Sequence, residues 1–168
     1  MKNIQLTYEV NPRTMAIRPA KEIEYSAIVK EENQTLYIRQ TPLQIIKAAC
    51  LEGGSTYEGR CKAVTHLTGA IQKVPIPINP RRNIFAFPTH SPTAFDCNWI
   101  FYHHVKSIVP SHQSSTIQSI IHFKNQQQLP MNESYYLLEK QYTRTAMCVL
   151  QYSTQEKMQT YPMLGMSL

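Results

Sequence analysis

Ile4, Leu6, Tyr8 and Val10 alternate with polar neighbours, the period of two expected of a half-buried strand. Asn11-Pro12 supplies a turn, and Met15 and Ile17 resume the alternation before Pro19, which predicts a short hairpin. A second strand pair is predicted over 25–29 and 35–38, joined by the polar turn Lys30-Glu31-Glu32-Asn33-Gln34. At Thr41-Pro42 the period changes. An N-cap residue followed by proline at the first helical position starts a helix whose apolar side carries Leu43, Ile46, Ala49 and Cys50, and Gly53-Gly54 ends it. A second short helix is predicted over 55–67.

Pro75, Pro77 and Pro80 exclude helix and favour extended chain, and Ile84-Phe85-Ala86-Phe87 reads as a short apolar strand stopped by Pro88. Residues 89–96 form a loop. Residues 99–109 read as one strand with Trp99, Phe101, His103 and Val105 on one face, and 116–123 as another, followed by a turn at Asn125-Gln126-Gln127-Gln128. Tyr135, Leu138, Tyr142, Ala146 and Val149 return to helical spacing and predict a long helix over 134–152. The expected fold is α+β, an antiparallel sheet with two or three helices in a single domain over 1–152, followed by a loose tail over 153–168.

Charge adds what the pattern does not contain. The net charge of +6 is unevenly placed. Residues 1–58 carry seven basic and seven acidic side chains, and 133–168 carry three of each. The segment 59–132 holds Arg60, Lys62, Lys73, Arg81, Arg82, Lys106 and Lys124 against Asp96 alone. A cationic surface poor in acids draws polyanions through counterion release and long-range steering, so these seven residues are the candidate contacts to duplex DNA. No basic amphipathic helix suggests a membrane surface. No apolar run approaches the length of a transmembrane span and the N-terminus lacks a signal peptide's apolar stretch, so a cytoplasmic protein is expected, nucleoid-associated through its contacts to DNA.

The same inventory argues against catalysis. Acid–base and magnesium chemistry use clustered carboxylates, and Asp96 has no acidic companion in its segment. Cys50, Cys61, Cys97 and Cys148 are too widely spaced for a zinc module and are expected as free, mostly buried thiols. His103-His104, read within a strand, would point to opposite faces, one ring packed and one exposed. The stretch from Gly53 to Arg60 is rich in glycine and hydroxyls but lacks the Gly-Lys-Ser/Thr ending of a phosphate loop, and reads as a helix terminus with a tight turn; a milder reading lets its N–H groups and Arg60 touch a DNA phosphate. No catalytic residue, metal ligand or cofactor is assigned. The competing enzyme reading would pair Cys97 with His103 or His104 as a thiol or zinc site.

Several blocks together carry a resemblance. Tyr8-Glu9-Val10-Asn11, Pro42-Leu43-Gln44-Ile45, Gly54-Ser55 with Tyr57-x-Gly59-Arg60, Ile84-Phe85-x-Phe87-Pro88-Thr89, Cys97-x-Trp99-Ile100, His104-Val105-Lys106 and Arg144-Thr145-Ala146 are similar, in order and at near-constant spacing, to the competence transcription factor (ComK) family. The resemblance implies a transcriptional activator of DNA-uptake genes that binds A/T-rich boxes, largely through the minor groove, as a dimer or tetramer that works with RNA polymerase. Arg81-Arg82 does not match basic family positions. Its assignment as a minor-groove arm rests on its place in a proline-bordered, cationic segment. Tyr161-Pro162 resembles the segment through which the family is recognised by a proteolytic adaptor. Family members continue beyond this point with a charged tail, so the chain reads as a short or C-terminally truncated member. A regulatory form that binds proteins and not DNA is the alternative.

Overall fold

The computed structural model describes residues 2–160, with backbone alone for 154–160. Within that range the chain builds an α+β domain. Ten strands, β1 (Ile4–Gln5), β2 (Thr14–Pro19), β3 (Ala27–Glu31), β4 (Thr35–Ile38), β5 (Ile76–Asn79), β6 (Ile84–Pro88), β7 (Trp99–Phe101), β8 (Val105–Pro110), β9 (Ser119–Phe123) and β10 (Gln128–Met131), combine with three helices, α1 (Pro42–Glu52), α2 (Tyr57–Thr68) and α3 (Tyr135–Thr160). A seven-stranded sheet runs β1-β4-β3-β2-β7-β6-β5, and a three-stranded sheet runs β10-β9-β8. All pairings are antiparallel except β1 with β4.

The large sheet has a core on each face. On one face Ile17, Val29, Ile38, Ile76, Trp99 and Phe101 pack with Ile45, Ile46 and Cys50 of α1. On the other, Met15, Ala16, Phe87 and Ile100 meet the small sheet (Ile108, Ile121, Phe123, Leu129) and Leu138 of α3. Met15 and Ala16 are neighbours that share this second core because the β2–β3 register shifts between Thr14 and Ala16; a bulge turns two successive side chains the same way. The central strands are covered on both sides. β3 is covered on one, and its pattern alternates, with Ala27, Val29 and Glu31 buried and Ile28 and Lys30 partly open.

α1 starts where the sequence predicts. Thr41 Oγ1 accepts from the Gln44 N–H at 3.2 Å and Gln44 Oε1 accepts from the Thr41 N–H at 2.9 Å, a reciprocal cap. Gly53 ends the helix for a reason of space: a Cβ there would lie 2.1 Å from the Ile78 carbonyl oxygen of β5. Gly53→Ala is therefore expected to push α1 off the sheet and cost about 1–3 kcal/mol, measurable as a lower urea midpoint. Gln141 holds α3 to the base of the β5–β6 hairpin, donating to the carbonyls of Lys73 (2.8 Å) and Pro88 (2.6 Å).

Four local expectations are corrected. The first alternating run does not form a hairpin with 15–17. Only Ile4 and Gln5 are strand, parallel to β4 at the sheet edge, while Tyr8 turns inward and the chain crosses to the sheet centre. The predicted strand 99–109 is broken by a 3-10 turn at Tyr102–His104, which hands the chain from the large sheet to the small one. His103 and His104 are thus in a turn, both partly buried, and not on opposite faces of a strand. The last helix continues to Thr160, through residues read as the start of a tail. Strand β10, with Pro130 within it, was not predicted; it lies at the edge of its sheet, where a missing N–H is tolerated.

Candidate nucleic-acid interface

Antiparallel pairing decides which loops meet. β7 ends at Phe101, opposite the beginning of β6; β2 begins and β3 ends at that same end of the sheet. The segment preceding β2, the β3–β4 turn, the β5–β6 turn and the Tyr102–His104 turn therefore lie together. The β9–β10 turn joins them: the Lys124 N–H donates to the His104 carbonyl at 2.9 Å, and Asn125 Nδ2 and Gln127 Nε2 donate to the Glu32 carbonyl at 3.0 and 3.2 Å. His104 Nε2 lies 2.7 Å from the Pro12 carbonyl oxygen, and the Glu32 N–H donates to the Arg13 carbonyl at 3.1 Å.

On this pinned platform stand exposed cations. Arg81 and Arg82 occupy the 3-10 turn at the hairpin tip, which is closed by Asn83 at φ 58° in the left-handed region that asparagine tolerates. Lys124 projects from the β9–β10 turn. Lys106 is the extra residue at the bulge between Val105 and Ser107, one residue in from the same end, and is exposed. Arg13 joins them from the segment before β2. It was missed by the charge count because its block is neutral overall. That neutrality is misleading, since one of the acids there, Glu31, is buried and turned inward.

Glu31 holds the segment before β2 in place. Tyr8 Oη and Asn11 Nδ2 donate to Glu31 Oε2, and Gln34 Nε2 donates to Oε1 at 2.7 Å. Burial works against its ionisation, but these hydrogen bonds outweigh it and the carboxyl titrates below its ordinary value. A carboxylate held low contributes stability that is present above the unfolded value, near 4.5, and is lost as pH falls through the folded value. Tyr8→Phe removes one donor. It is expected to cost about 1–2 kcal/mol at pH 7 and to move the acid-unfolding midpoint upward, with the difference from wild type shrinking as pH falls through the folded Glu31 value; a pH series of thermal melts checks it.

The remaining predicted contacts lie elsewhere. Lys62 and Lys73 line a hollow with His66, Ile71 and Pro92 at the other end of the β5–β6 hairpin, about 15 Å away along five strand residues. Arg60 is half-buried. Its Nη2 donates to the Gly53 carbonyl at 2.8 Å and its charge lies beside Tyr152 of α3, so the glycine-rich block forms a helix junction. Tyr161 and Pro162 lie outside the described residues. A hollow of about 930 Å³ opens on the uncovered side of β3; there Arg18, Lys21 and Lys30 share the walls with Asp96 and Glu133, so it is not a one-sign surface.

The arrangement offers little for nucleophilic or metal chemistry. Burial pushes the Cys97 thiol up to about 11 and the Cys50 and Cys148 thiols up to about 12. Cys97 Sγ donates to the carbonyls of His90 and Asn98, each at 3.5 Å, and neither His103 nor His104 is its partner. His103 instead packs edge-on against Phe85 and Tyr102. Among the described residues no three His, Cys, Asp or Glu side chains gather as a metal site, and no helix is long and apolar enough to cross a membrane.

Comparison with known proteins agrees with the blocks read in the sequence. No solved structure matches the chain. The chain is 35% identical over 142 residues to the competence transcription factor of Bacillus subtilis (strain 168), an alignment covering 83% of this chain and 72% of that protein. The family model described as ComK protein matches residues 5–158, from β1 into the last turns of α3, and the chain belongs to the ComK family.

Proposed function

We propose that this chain is a competence transcription factor that grips duplex DNA with the cationic end of its large sheet. The observation that carries the reading is the gathering of Arg13, Arg81, Arg82, Lys106 and Lys124 at one end of the large sheet, where the segment before β2, the β3–β4 turn, the Tyr102–His104 turn and the β9–β10 turn are hydrogen-bonded to one another. Charges fixed to a rigid platform lose little entropy on binding, and a hairpin tip carrying two arginines suits the narrow, strongly negative minor groove of A-tracts. The exposed acids of the same loops are Glu9 and Glu32, fewer than the cations. Preference for A/T-rich boxes, self-association as a dimer or tetramer, contact with RNA polymerase and delivery to a proteolytic adaptor through Tyr161 and Pro162 follow from family membership and are part of the proposal.

A mobility-shift titration tests it. The intact protein at about 50 mM salt should retain an A/T-tract duplex and bind a G/C-rich duplex of equal length more weakly, with log affinity falling by roughly 4–5 per tenfold rise in salt for five phosphate contacts. Failure to retain either duplex would leave the protein-binding regulatory form as the better reading.

A further inference from the structure

The cationic end contains a pocket that the charge pattern does not explain. It encloses about 280 Å³ between the β5–β6 turn and the Tyr102–His104 turn, with walls that include Asn11, Arg82, Asn83, Phe85, His103 and His104. No carboxylate lines it. His103 lines the pocket with its ring Nε2 buried and without a hydrogen-bond partner, whereas the ring nitrogens of His104 face the Pro12 carbonyl and Glu32. A buried ring nitrogen left unpaired in a native fold calls for an explanation, and a bound ion is one of the few available.

The geometry points to a phosphate site in this pocket, formed by Arg82 and His103, whose occupation is coupled to uptake of a proton by His103. The inference rests on the DNA-binding reading for its biological ligand, the backbone phosphate of duplex DNA. A guanidinium and an imidazolium are both donors to a tetrahedral oxyanion, and a pocket without acids does not repel it. In the free protein His103 is held below its ordinary value by burial, by Lys124 from the β9–β10 turn and by His104 beside it. The other groups around it are Tyr102 on the same turn, Arg82 across the pocket, Arg13 beyond Pro12, and Glu32 beyond His104. Glu31 is occupied by Tyr8, Asn11 and Gln34. A phosphate placed in the pocket beside the ring reverses the electrostatic balance and favours the imidazolium. Between the free and bound titration midpoints, binding takes up one proton, so affinity rises as pH falls, by up to about tenfold per pH unit.

Two arms test this. In the first, the side-chain NMR signals of His103 are followed from pH 5 to 8 in DNA-free protein, with and without saturating inorganic phosphate at constant ionic strength. Phosphate should raise the His103 midpoint and should not do so in Arg82→Ala; an unchanged wild-type midpoint overturns the site. In the second, affinity for a short A/T-tract duplex is measured at pH 6 and pH 8. Wild type should bind about tenfold more tightly at pH 6, and His103→Gln, which keeps a donor but cannot titrate, should change less than about twofold. An equal pH dependence in His103→Gln overturns the proton coupling while leaving DNA binding intact. Loss of duplex binding by wild type at every pH would sink the DNA reading, and the phosphate arm would still decide the pocket. Should His103→Gln not fold, Lys124→Ala serves in its place: removing that charge should raise the His103 midpoint and carry the pH range over which affinity changes upward with it, and an unmoved range counts against the coupling.

Discussion

Replacing Arg13, Arg81, Arg82 and Lys124 together by alanine is expected to abolish most of the salt dependence of DNA binding and most of the affinity at low salt. If each of these residues and Lys106 neutralises one phosphate, log affinity falls with log salt at a slope of about −4.5, and wild type loses roughly 500-fold between 50 and 200 mM salt. A variant that retains Lys106 alone should show a slope near −0.9 and lose only about three- to fourfold over the same range. All four side chains are exposed, so the substitutions should leave the melting temperature nearly unchanged. Lys62→Ala with Lys73→Ala is the matched control. Those residues stand at the opposite end of the hairpin, and their removal should shift the slope by less than one. A reversed outcome would place the interface on the α2 side.

The largest effect on stability is expected at Trp99. Its indole is fully buried at the start of β7 and packs edge-on against Tyr57 of α2, with ring centroids 6.4 Å apart. Trp99→Ala would open a cavity between the sheet and both N-terminal helices, costing about 3–5 kcal/mol, roughly a fifth or more of the stability of an ordinary domain. Trp99→Phe should be much milder, about 1–2 kcal/mol, because it keeps an aromatic ring and because the indole Nε1–H has no hydrogen-bond partner to lose. Urea titrations give both values, and an unchanged m shows that the cost is in the folded core. Equal costs for the two substitutions would mean that the N–H matters more than the packing.

Sequence and structure agree most closely where the controlling forces are local. Thr41-Pro42 starts α1 as read, because a cap and a fixed proline φ act within a few residues, whereas the glycine read at its end is required by the close approach of the Ile78 carbonyl of β5. The strand pair β3–β4 and its turn were legible for the same reason. The Trp99–Val109 stretch was not, because alternation cannot distinguish one long strand from two short strands in different sheets when a three-residue turn preserves the apolar pattern. His103 lies inside that turn, so its pocket could not be seen from its neighbours in sequence.

The charge reading divides along the same line. The sequence by itself determined that the molecule is a cationic α+β domain with ComK-family blocks, because composition, period and motif order do not depend on how distant segments are placed. Only the tertiary structure decided which cations stand together. Antiparallel pairing sends Arg81 and Arg82 to one end of a hairpin and Lys73 to the other, brings Lys124 across from another sheet, commits Arg60 to a helix junction, and buries Glu31 so that Arg13 is left on the surface as an addition to the basic end. Electrostatic potential depends on distance in space, and strand order sets that distance.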